Sequence, residues 1–377
     1  MSINLRGTIR ELDGLRGIAI LLVIIHHYWP AEGPWAEWAA LPHLGWIGVD
    51  LFFVVSGFLI TGILLDTRSA AGFFRTFYVR RALRIFPLYY LFLLLVFVGI
   101  PMLQGGPWAS SEFVRQSGSP WWYLLYQGNL REALVGHEPA YVLAPLWSLA
   151  IEEQFYLVWP FLVSTIPRVR LRPVLVATIV GALAYRFVTF LIWPANERVQ
   201  YLATPSRLDV LAIGALIALG LRDRWLHLTR RTIGRAALTG IGVLATTFAL
   251  GGMDRTTPFG RTLGYSIVGV TFGFVVLWAV TGREAKSTAW LRWKPLRALG
   301  KVCYGVYLLQ RPMEVVVGKV TEAAGIPWNR TELSTVPILM AVTFATAALS
   351  WFAFERPILR LKRHFSVSGH PQATTAP

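Results

Sequence analysis

The chain has 377 residues, of which 55% are hydrophobic and only 15% are charged, with a mean hydropathy of +0.51. A soluble domain carries a charged fraction of about a quarter, whereas the apolar residues here form repeated runs near the length of about 20 that crosses a bilayer. The net charge of +16 comes from short basic clusters between apolar runs, a pattern of membrane topology rather than of nucleic-acid binding. Composition therefore excludes a soluble protein and disfavours nucleic acid as a partner.

The apolar runs predict an all-α membrane bundle of about ten helices. Between the third and fourth runs, Trp121–Tyr126 is expected to form a short interfacial helix. Residues 1–365 are then one integral domain in the inner (plasma) membrane, and the polar tail 366–377 is expected to be disordered. The predicted spans lie near 15–31, 45–65, 85–103, 145–166, 174–193, 206–221, 233–251, 263–281, 299–318 and 335–355.

The basic residues predict the orientation of these spans. If the N-terminus is cytoplasmic, 26 of the 36 Lys and Arg residues fall in inner segments and eight in outer ones. Positive charge concentrates on the cytoplasmic side of membrane proteins. The sequence therefore predicts that both termini face the cytoplasm.

Several charged and titratable residues fall inside the predicted spans. A charge near the bilayer centre costs roughly 2.5–3.5 kcal/mol on insertion scales, so each needs a partner or a function. One interpretation is a set of ion pairs that join helices, with Arg207 and Asp209 paired near the outer mouth. The other is a water-filled cavity in the membrane. These residues are His26, His27, Asp50, Glu152, Glu153, Arg186, Asp209 and Arg311, with Arg207 at an outer edge.

Helical spacing favours a functional cavity. Arg16 and His27 are eleven residues apart, which puts them on one face of the first helix, about 16 Å apart along its axis. Ser148, Glu152 and Tyr156 share a face of the fourth span, and Gln310 reaches mid-membrane on the ninth. The spacing predicts that these polar groups converge.

A second cluster is predicted at the cytoplasmic edge, where Arg80, Arg81 and Arg84 join Arg16. Forked guanidinium groups bind phosphate well. Ordinary positive-inside topology is the alternative reading, and anionic lipid headgroups are a second possible target.

Six ordered segments resemble the acyltransferase-3 family of integral membrane proteins over about residues 10–365. The first carries an Arg, ten residues, His pattern at Arg16 and His27. The late segment YLLQRP (Tyr307–Pro312) departs from the family's usual pattern by placing Gln310 at a His position. The matching segments are LDGLRGIAILLVIIHH (Leu12–His27), GVDLFFVVSGFLIT (Gly48–Thr61), FYVRRALRIFPLYY (Phe77–Tyr90), LWSLAIEEQFYLVWP (Leu146–Pro160), RLDVLAIGALIA (Arg207–Ala218) and FERP (Phe354–Pro357).

The resemblance implies O-acylation, usually O-acetylation, of a carbohydrate, cell-envelope glycan, lipid or macrolide-like hydroxyl, with acetyl-CoA or another acyl-CoA as co-substrate. His27 is then the general base, with Glu152 or Asp50 as its carboxylate partner; a covalent acyl-histidine is a less favoured alternative. The arginine set Arg16, Arg80, Arg81 and Arg84 would hold the donor phosphates. The substrate cavity is assigned to Trp147, Ser148, Glu153, Tyr156, Arg207, Asp209 and Gln310.

The lone cysteine, Cys303, excludes a disulfide and a cysteine-based metal site, and no metal is expected. The sequence shows no esterase-like domain of the kind some relatives carry, so a one-stage enzyme is expected. A proton-coupled transporter of a small anionic or sugar substrate is the rival reading, because transporters also bury charged networks near the midplane. A membrane glycosyl- or phosphotransferase is a weaker rival, and the oligomeric state stays open.

Overall fold

The structure is a computed structural model of the chain. It describes residues 7–365 apart from 31, 100–101, 103–115, 136–138 and 254–255. The tail from residue 366, together with Arg6, Arg115 and Arg255 of the charge count, lies outside the described residues. Within the described ranges the regular structure is entirely helical, which confirms the all-α prediction.

A long helix coincides with each of the ten predicted spans. Several begin earlier than predicted because a basic, less apolar stretch continues the same helix; the third starts at Phe73 rather than near residue 85. The ten helices are α1 (Arg10–Tyr28), α2 (Ile47–Thr67), α3 (Phe73–Leu94), α4 (Leu146–Thr165), α5 (Arg168–Ile192), α6 (Thr204–Arg222), α7 (Arg230–Ala249), α8 (Tyr265–Thr281), α9 (Lys294–Ala323) and α10 (Thr335–Ser350).

Shorter elements connect these helices. The segment predicted as an interfacial helix is helical at Trp121–Leu124, and a second short helix follows at Gly128–Val135. After α10 the chain widens into a π-helical turn at Trp351–Glu355 and then forms short helices at Arg356–Leu359 and Arg360–His364. Wide turns of this kind are common near functional sites.

Among the described residues, seven helical segments are long and apolar enough to span a membrane, and they contain α2, α3, α5, α6, α7, α8 and α10. The other three long helices carry some of the polar residues of interest: α1 holds Arg16 and His27, α4 holds Glu152, and α9 holds Gln310. The chain is thus a multi-pass membrane protein, while the count of ten spans and the orientation stay predictions.

The centre of the bundle is formed by α1, which packs against α2 and α9, and by α2, which packs against α6. The inner face of α1 is buried at Leu15, Ile20 and Ile24. By contrast only 22%, 17% and 22% of the apolar stretches that contain α5, α7 and α10 are buried inside the protein, as expected of helices that face lipid. The polar helices α1 and α9 therefore lie side by side in the interior.

Close helix contact depends on glycine, because small residues let membrane helices approach backbone to backbone. A Cβ atom at Gly214 of α6 would overlap the carbonyl oxygen of Val54, and one at Gly57 of α2 would overlap that of Leu211. The two glycines thus face each other's helix and set the α2–α6 distance.

We expect Gly214→Val to lower the free energy of unfolding by about 1–3 kcal/mol or more, because the added side chain forces α2 and α6 apart. Thermal unfolding of the purified protein in detergent measures the change. Gly242→Val is the matched control, since a Cβ there meets no atom within 4 Å. Equal loss in both variants would show that helix propensity, not close packing, is responsible.

Candidate functional site

His27 lies in the last turn of α1 and is half-buried. Its Nδ1 atom lies 2.8 Å from Oε1 of Gln310 on α9. Gln310 is fully buried, and its Nε2 donates to the carbonyl oxygen of Tyr307 at 3.0 Å, which leaves Oε1 as the acceptor that faces the imidazole. Nδ1 of a neutral His27 therefore carries the proton and Nε2 holds the basic lone pair.

The end of α1 is fixed against α9 and α10 by Tyr28. Its hydroxyl donates to the carbonyl oxygen of Gln310 at 2.8 Å and lies 2.7 Å from Oγ1 of Thr343. The ring is almost completely buried. Tyr28 and His27 thus attach to the same residue of α9 by its backbone and its side chain, and this holds the imidazole in one position.

Two arginines meet the carbonyl oxygen of His27, which lies at the helix C-terminus where backbone acceptors lack helical partners. Arg330 Nη2 donates to it at 3.3 Å and Arg311 Nη1 at 3.5 Å. Both arginines also pair with the carboxylate of Glu314, which accepts from the Tyr141 hydroxyl at 2.5 Å. This cluster covers the His27 end of α1 with a charged and partly exposed rim.

Glu152 lies at the other end of the polar face, not beside His27. Its Oε1 accepts from Ser56 Oγ at 2.8 Å and its Oε2 from the Tyr156 hydroxyl at 3.1 Å. Its charged neighbours are Arg16 and Arg81. The contact described for His27 Nδ1 comes from the side-chain amide of Gln310. Gln310 thus lies where a carboxylate, Glu152 or Asp50, was expected.

Ser148 on α4 is linked to His27 on α1 through residues of α9. Its Oγ lies 2.6 Å from the hydroxyl of Tyr307, and Tyr307 supplies the carbonyl oxygen that holds Gln310. Ser148, Tyr307, Gln310 and His27 therefore form a continuous chain of contacts across α4, α9 and α1, which agrees with the predicted convergence of these helices.

The predicted arginine cluster is present near the start of α3. Arg81 lies over the ring of Tyr156, 5.2 Å from its centroid. Arg84 lies 5.3 Å from the centroid of Trp351 and donates to the carbonyl oxygen of Lys301 at 3.2 Å. Arg80, Arg81, Arg84 and Arg16 all act electrostatically on one residue, Lys362. Glu153 also has Arg81 as a charged neighbour.

The buried charges of α2, α5 and α6 pair differently from the expectation. Arg207 forms an ion pair with Asp50 rather than with Asp209, and Asp209 pairs with Arg186 at 2.8 Å. All four side chains have an exposure of 0%. The predicted Arg207–Asp209 pair was wrong because Arg186, one helix away, reaches Asp209, while the close α2–α6 contact brings Asp50 to Arg207.

Aromatic rings surround this ion-pair network. Arg207 lies over the rings of Tyr265 and Tyr201, 4.3 and 5.4 Å from their centroids. Trp147, assigned to the substrate cavity, packs on Tyr201 with centroids 4.7 Å apart and on Phe53 at 6.2 Å. Trp147, Arg207, Asp209 and Asp50 thus belong to one buried network, separate from the contacts of His27.

The sequence does not single out seven residues that complete the site: Tyr28, Ser56, Tyr141, Tyr307, Glu314, Arg330 and Lys362. Ser56 lies in the segment Gly48–Thr61, and Tyr307 lies in the segment Tyr307–Pro312. The sequence therefore points to both segments but not to the roles of these two residues. Lys362 and Arg330 are among the basic residues of the predicted inner and outer segments, respectively, and charge placement alone gives no sign of their contacts in the site. In the described parts of the chain, no group of three or more His, Cys, Asp or Glu side chains is placed to hold a metal ion.

Comparison with known proteins places the chain in a family. The acyltransferase-3 domain model matches residues 9–355. The chain is similar to the putative peptidoglycan O-acetyltransferase YrhL of Bacillus subtilis, at 31% identity over 92% of this chain and 54% of that protein.

Two further relatives are the peptidoglycan O-acetyltransferase OatA of Listeria monocytogenes and the O-acetyltransferase OatA of Staphylococcus aureus. Each is 29% identical; the matches cover 94% and 92% of this chain, and 56% of each relative. The chain thus spans about half the length of the curated relatives it matches. No solved structure matches it. With nearly the whole chain covered by the domain model, the chain belongs to the acyltransferase-3 family.

Proposed function

We propose that this protein transfers an acetyl-type group from acyl-CoA, bound at the arginine end of α1, to a hydroxyl that reaches His27 from the opposite side of the membrane. The observation that carries the proposal is the His27–Gln310 contact, because it sets the imidazole with Nε2 as a base. Imidazole titrates near neutral pH and is therefore suited to accept a hydroxyl proton.

The distance between Arg16 and His27 suits a donor such as acyl-CoA. Arg16 and His27 lie on one face of α1, about 16 Å apart along the axis. Acyl-CoA carries its phosphates and its thioester at opposite ends of a long flexible arm. Phosphates held by Arg16, Arg80, Arg81 and Arg84 would leave the thioester free to approach His27.

The chemical step then balances with His27 alone as proton carrier. Nε2 takes the proton of the acceptor hydroxyl while its oxygen attacks the thioester carbonyl carbon. The carbon–sulfur bond breaks as the tetrahedral intermediate collapses, and the imidazolium returns the proton to the departing thiolate. Gln310 Oε1 accepts from Nδ1–H throughout and keeps the ring oriented.

The acceptor class is a carbohydrate hydroxyl of the cell envelope. Support comes from the relatives named as peptidoglycan O-acetyltransferases, and from the rim of Tyr141, Arg311, Glu314 and Arg330 above His27, whose polar groups suit a hydroxylated ligand. A glycan acceptor outside the cell also agrees with the predicted orientation.

Sealed membrane vesicles that contain the protein test the proposal. Acyl-CoA with a labelled acetyl group is supplied on the side of the arginine cluster, and glycan fragments on the other side. Transfer of label to the glycan is the expected result. Uptake of the sugar coupled to protons, without transfer of label, would support a transporter instead.

The role of Gln310 can be tested separately with Gln310→Leu, which keeps a similar volume but removes the acceptor for Nδ1–H. We expect kcat to fall at least about tenfold, since the imidazole loses its fixed tautomer and orientation, while KM for acyl-CoA stays unchanged. Steady-state kinetics over a range of acyl-CoA concentrations measures both. A rise in KM with unchanged kcat would place Gln310 in donor binding.

A further inference from the structure

We infer that the segment Arg356–Phe365 forms one wall of the donor site and that Lys362 contacts the phosphate groups of the donor as a fifth cation beside Arg16, Arg80, Arg81 and Arg84. The inference rests on the proposed function for the identity of the donor. It adds a binding residue that lies beyond the last of the matching sequence segments.

Direct contacts hold this segment against the basic face of α3. Arg80 Nη1 donates to the carbonyl oxygen of Phe365 at 3.2 Å, and the guanidinium of Arg75 lies 5.8 Å from the centroid of the Phe365 ring. Just before the segment, Trp351 packs under Arg84. The chain therefore returns from α10 across the arginine cluster rather than away from it.

The charge around Lys362 is the second observation. Its side chain is half-buried, and its strongest charged neighbours are Arg84, Arg81, Arg80 and Arg16. Burial and repulsion by these four guanidinium groups disfavour the charged form of the Lys362 amine when no anion is bound. A ligand with several negative charges would reverse that repulsion, whereas a neutral or singly charged ligand would not.

The position of Arg16 indicates how far the ligand extends. Arg16 also has Glu152 and Cys303 as neighbours, and Cys303 is buried on α9. A phosphate group that contacts both Lys362 and Arg16 would therefore lie between the segment Arg356–Phe365 and the interior of the bundle. The headgroup of a surrounding lipid offers the same phosphate chemistry, but a soluble donor entering between the helices explains the inward direction better.

The carboxylates near the cluster have its arginines as their charged neighbours, and Asp13 is one of them, with Arg16 and Arg84. Glu355 has Arg84 as its charged neighbour and accepts from Ser350 Oγ at 3.4 Å. Glu152 accepts from Ser56 and Tyr156. The strongest charged neighbours of Lys362, by contrast, are all arginines, and we expect its removal to affect phosphate binding specifically.

The test measures binding and catalysis of the full chain in nanodiscs of neutral phosphatidylcholine. Lys362→Ala should weaken binding of CoA about tenfold, the loss of one charge-assisted contact of about 1.4 kcal/mol. It should raise KM for acetyl-CoA with unchanged kcat and leave KM for acetyl-pantetheine, which lacks the nucleotide phosphates, unchanged. Lys362→Arg should restore CoA binding.

Arg360→Ala is the matched control, because Arg360 is an exposed cation on the same segment, and it should behave as the wild type. CoA affinity in Lys362→Ala equal to that of the wild type would overturn the inference. So would a loss confined to binding of phosphatidylglycerol added to the nanodiscs, since that result assigns the cluster to lipid.

The same measurements separate this inference from the proposed function. If acetyl transfer proceeds and Lys362→Ala binds CoA normally, the inference fails and the function stands. If CoA binding depends on Lys362 but no acceptor receives an acetyl group, the donor site stands and the proposed reaction fails.

Discussion

His27→Ala is expected to lower kcat for acyl transfer by at least about 100-fold, because the variant lacks the only base placed in the proposed step. The affinity for CoA should be unchanged, since the arginine cluster lies about 16 Å away along α1. Steady-state transfer of labelled acetyl to glycan fragments, together with equilibrium binding of CoA, measures the two quantities on one preparation.

The control for this variant is His227→Ala, which removes an exposed histidine far along the chain and should keep full activity. His27→Gln keeps a hydrogen-bonding side chain of similar size and should be as inactive as His27→Ala. Activity retained in either His27 variant would rule out the imidazole as general base while leaving the fold unaffected.

The same material can decide between a base and a nucleophile. Incubation with labelled acetyl-CoA in the absence of acceptor, followed by denaturation, should leave the wild-type protein unlabelled. A label that appears on the wild type and disappears in His27→Ala would assign a covalent acyl-histidine instead.

Arg207→Leu is expected to lower the free energy of unfolding by about 3–5 kcal/mol, because it leaves the carboxylate of Asp50 buried without its partner. The double variant Asp50→Leu, Arg207→Leu removes both charges, and we expect it to regain most of that stability. Chemical unfolding in mixed detergent, followed by tryptophan fluorescence, measures the difference between the two variants.

This cycle also tests whether Asp50 is catalytic. In the structure Asp50 forms an ion pair with Arg207, and the guanidinium of Arg207 lies over the ring of Phe53. We therefore expect the refolded double variant to keep measurable acetyl transfer. A double variant that is stable but inactive would place Asp50 or Arg207 in the reaction or in acceptor binding.

The surrounding aromatic rings help to stabilise the buried Asp50–Arg207 ion pair. Cation–π contact of Arg207 with Tyr265 at 4.3 Å adds an attractive interaction that strengthens where water is excluded. Arg186 shares the same ring at 5.8 Å. The network of Asp50, Arg207, Asp209 and Arg186 thus joins α2, α5 and α6, in line with the first interpretation of these residues as helix-joining pairs.

The amino-acid sequence by itself determined the helices, the membrane environment and the position of the candidate site residues on their own helices. Hydrophobic length and charge placement act locally, so the ten helices and the shared face of Arg16 and His27 could be predicted from spacing alone. The tertiary structure decided the partners. Gln310 rather than Glu152 faces His27, Asp50 rather than Asp209 faces Arg207, and Lys362 joins the arginine cluster, because each of these contacts depends on how two distant helices pack and rotate against each other, which no local pattern records.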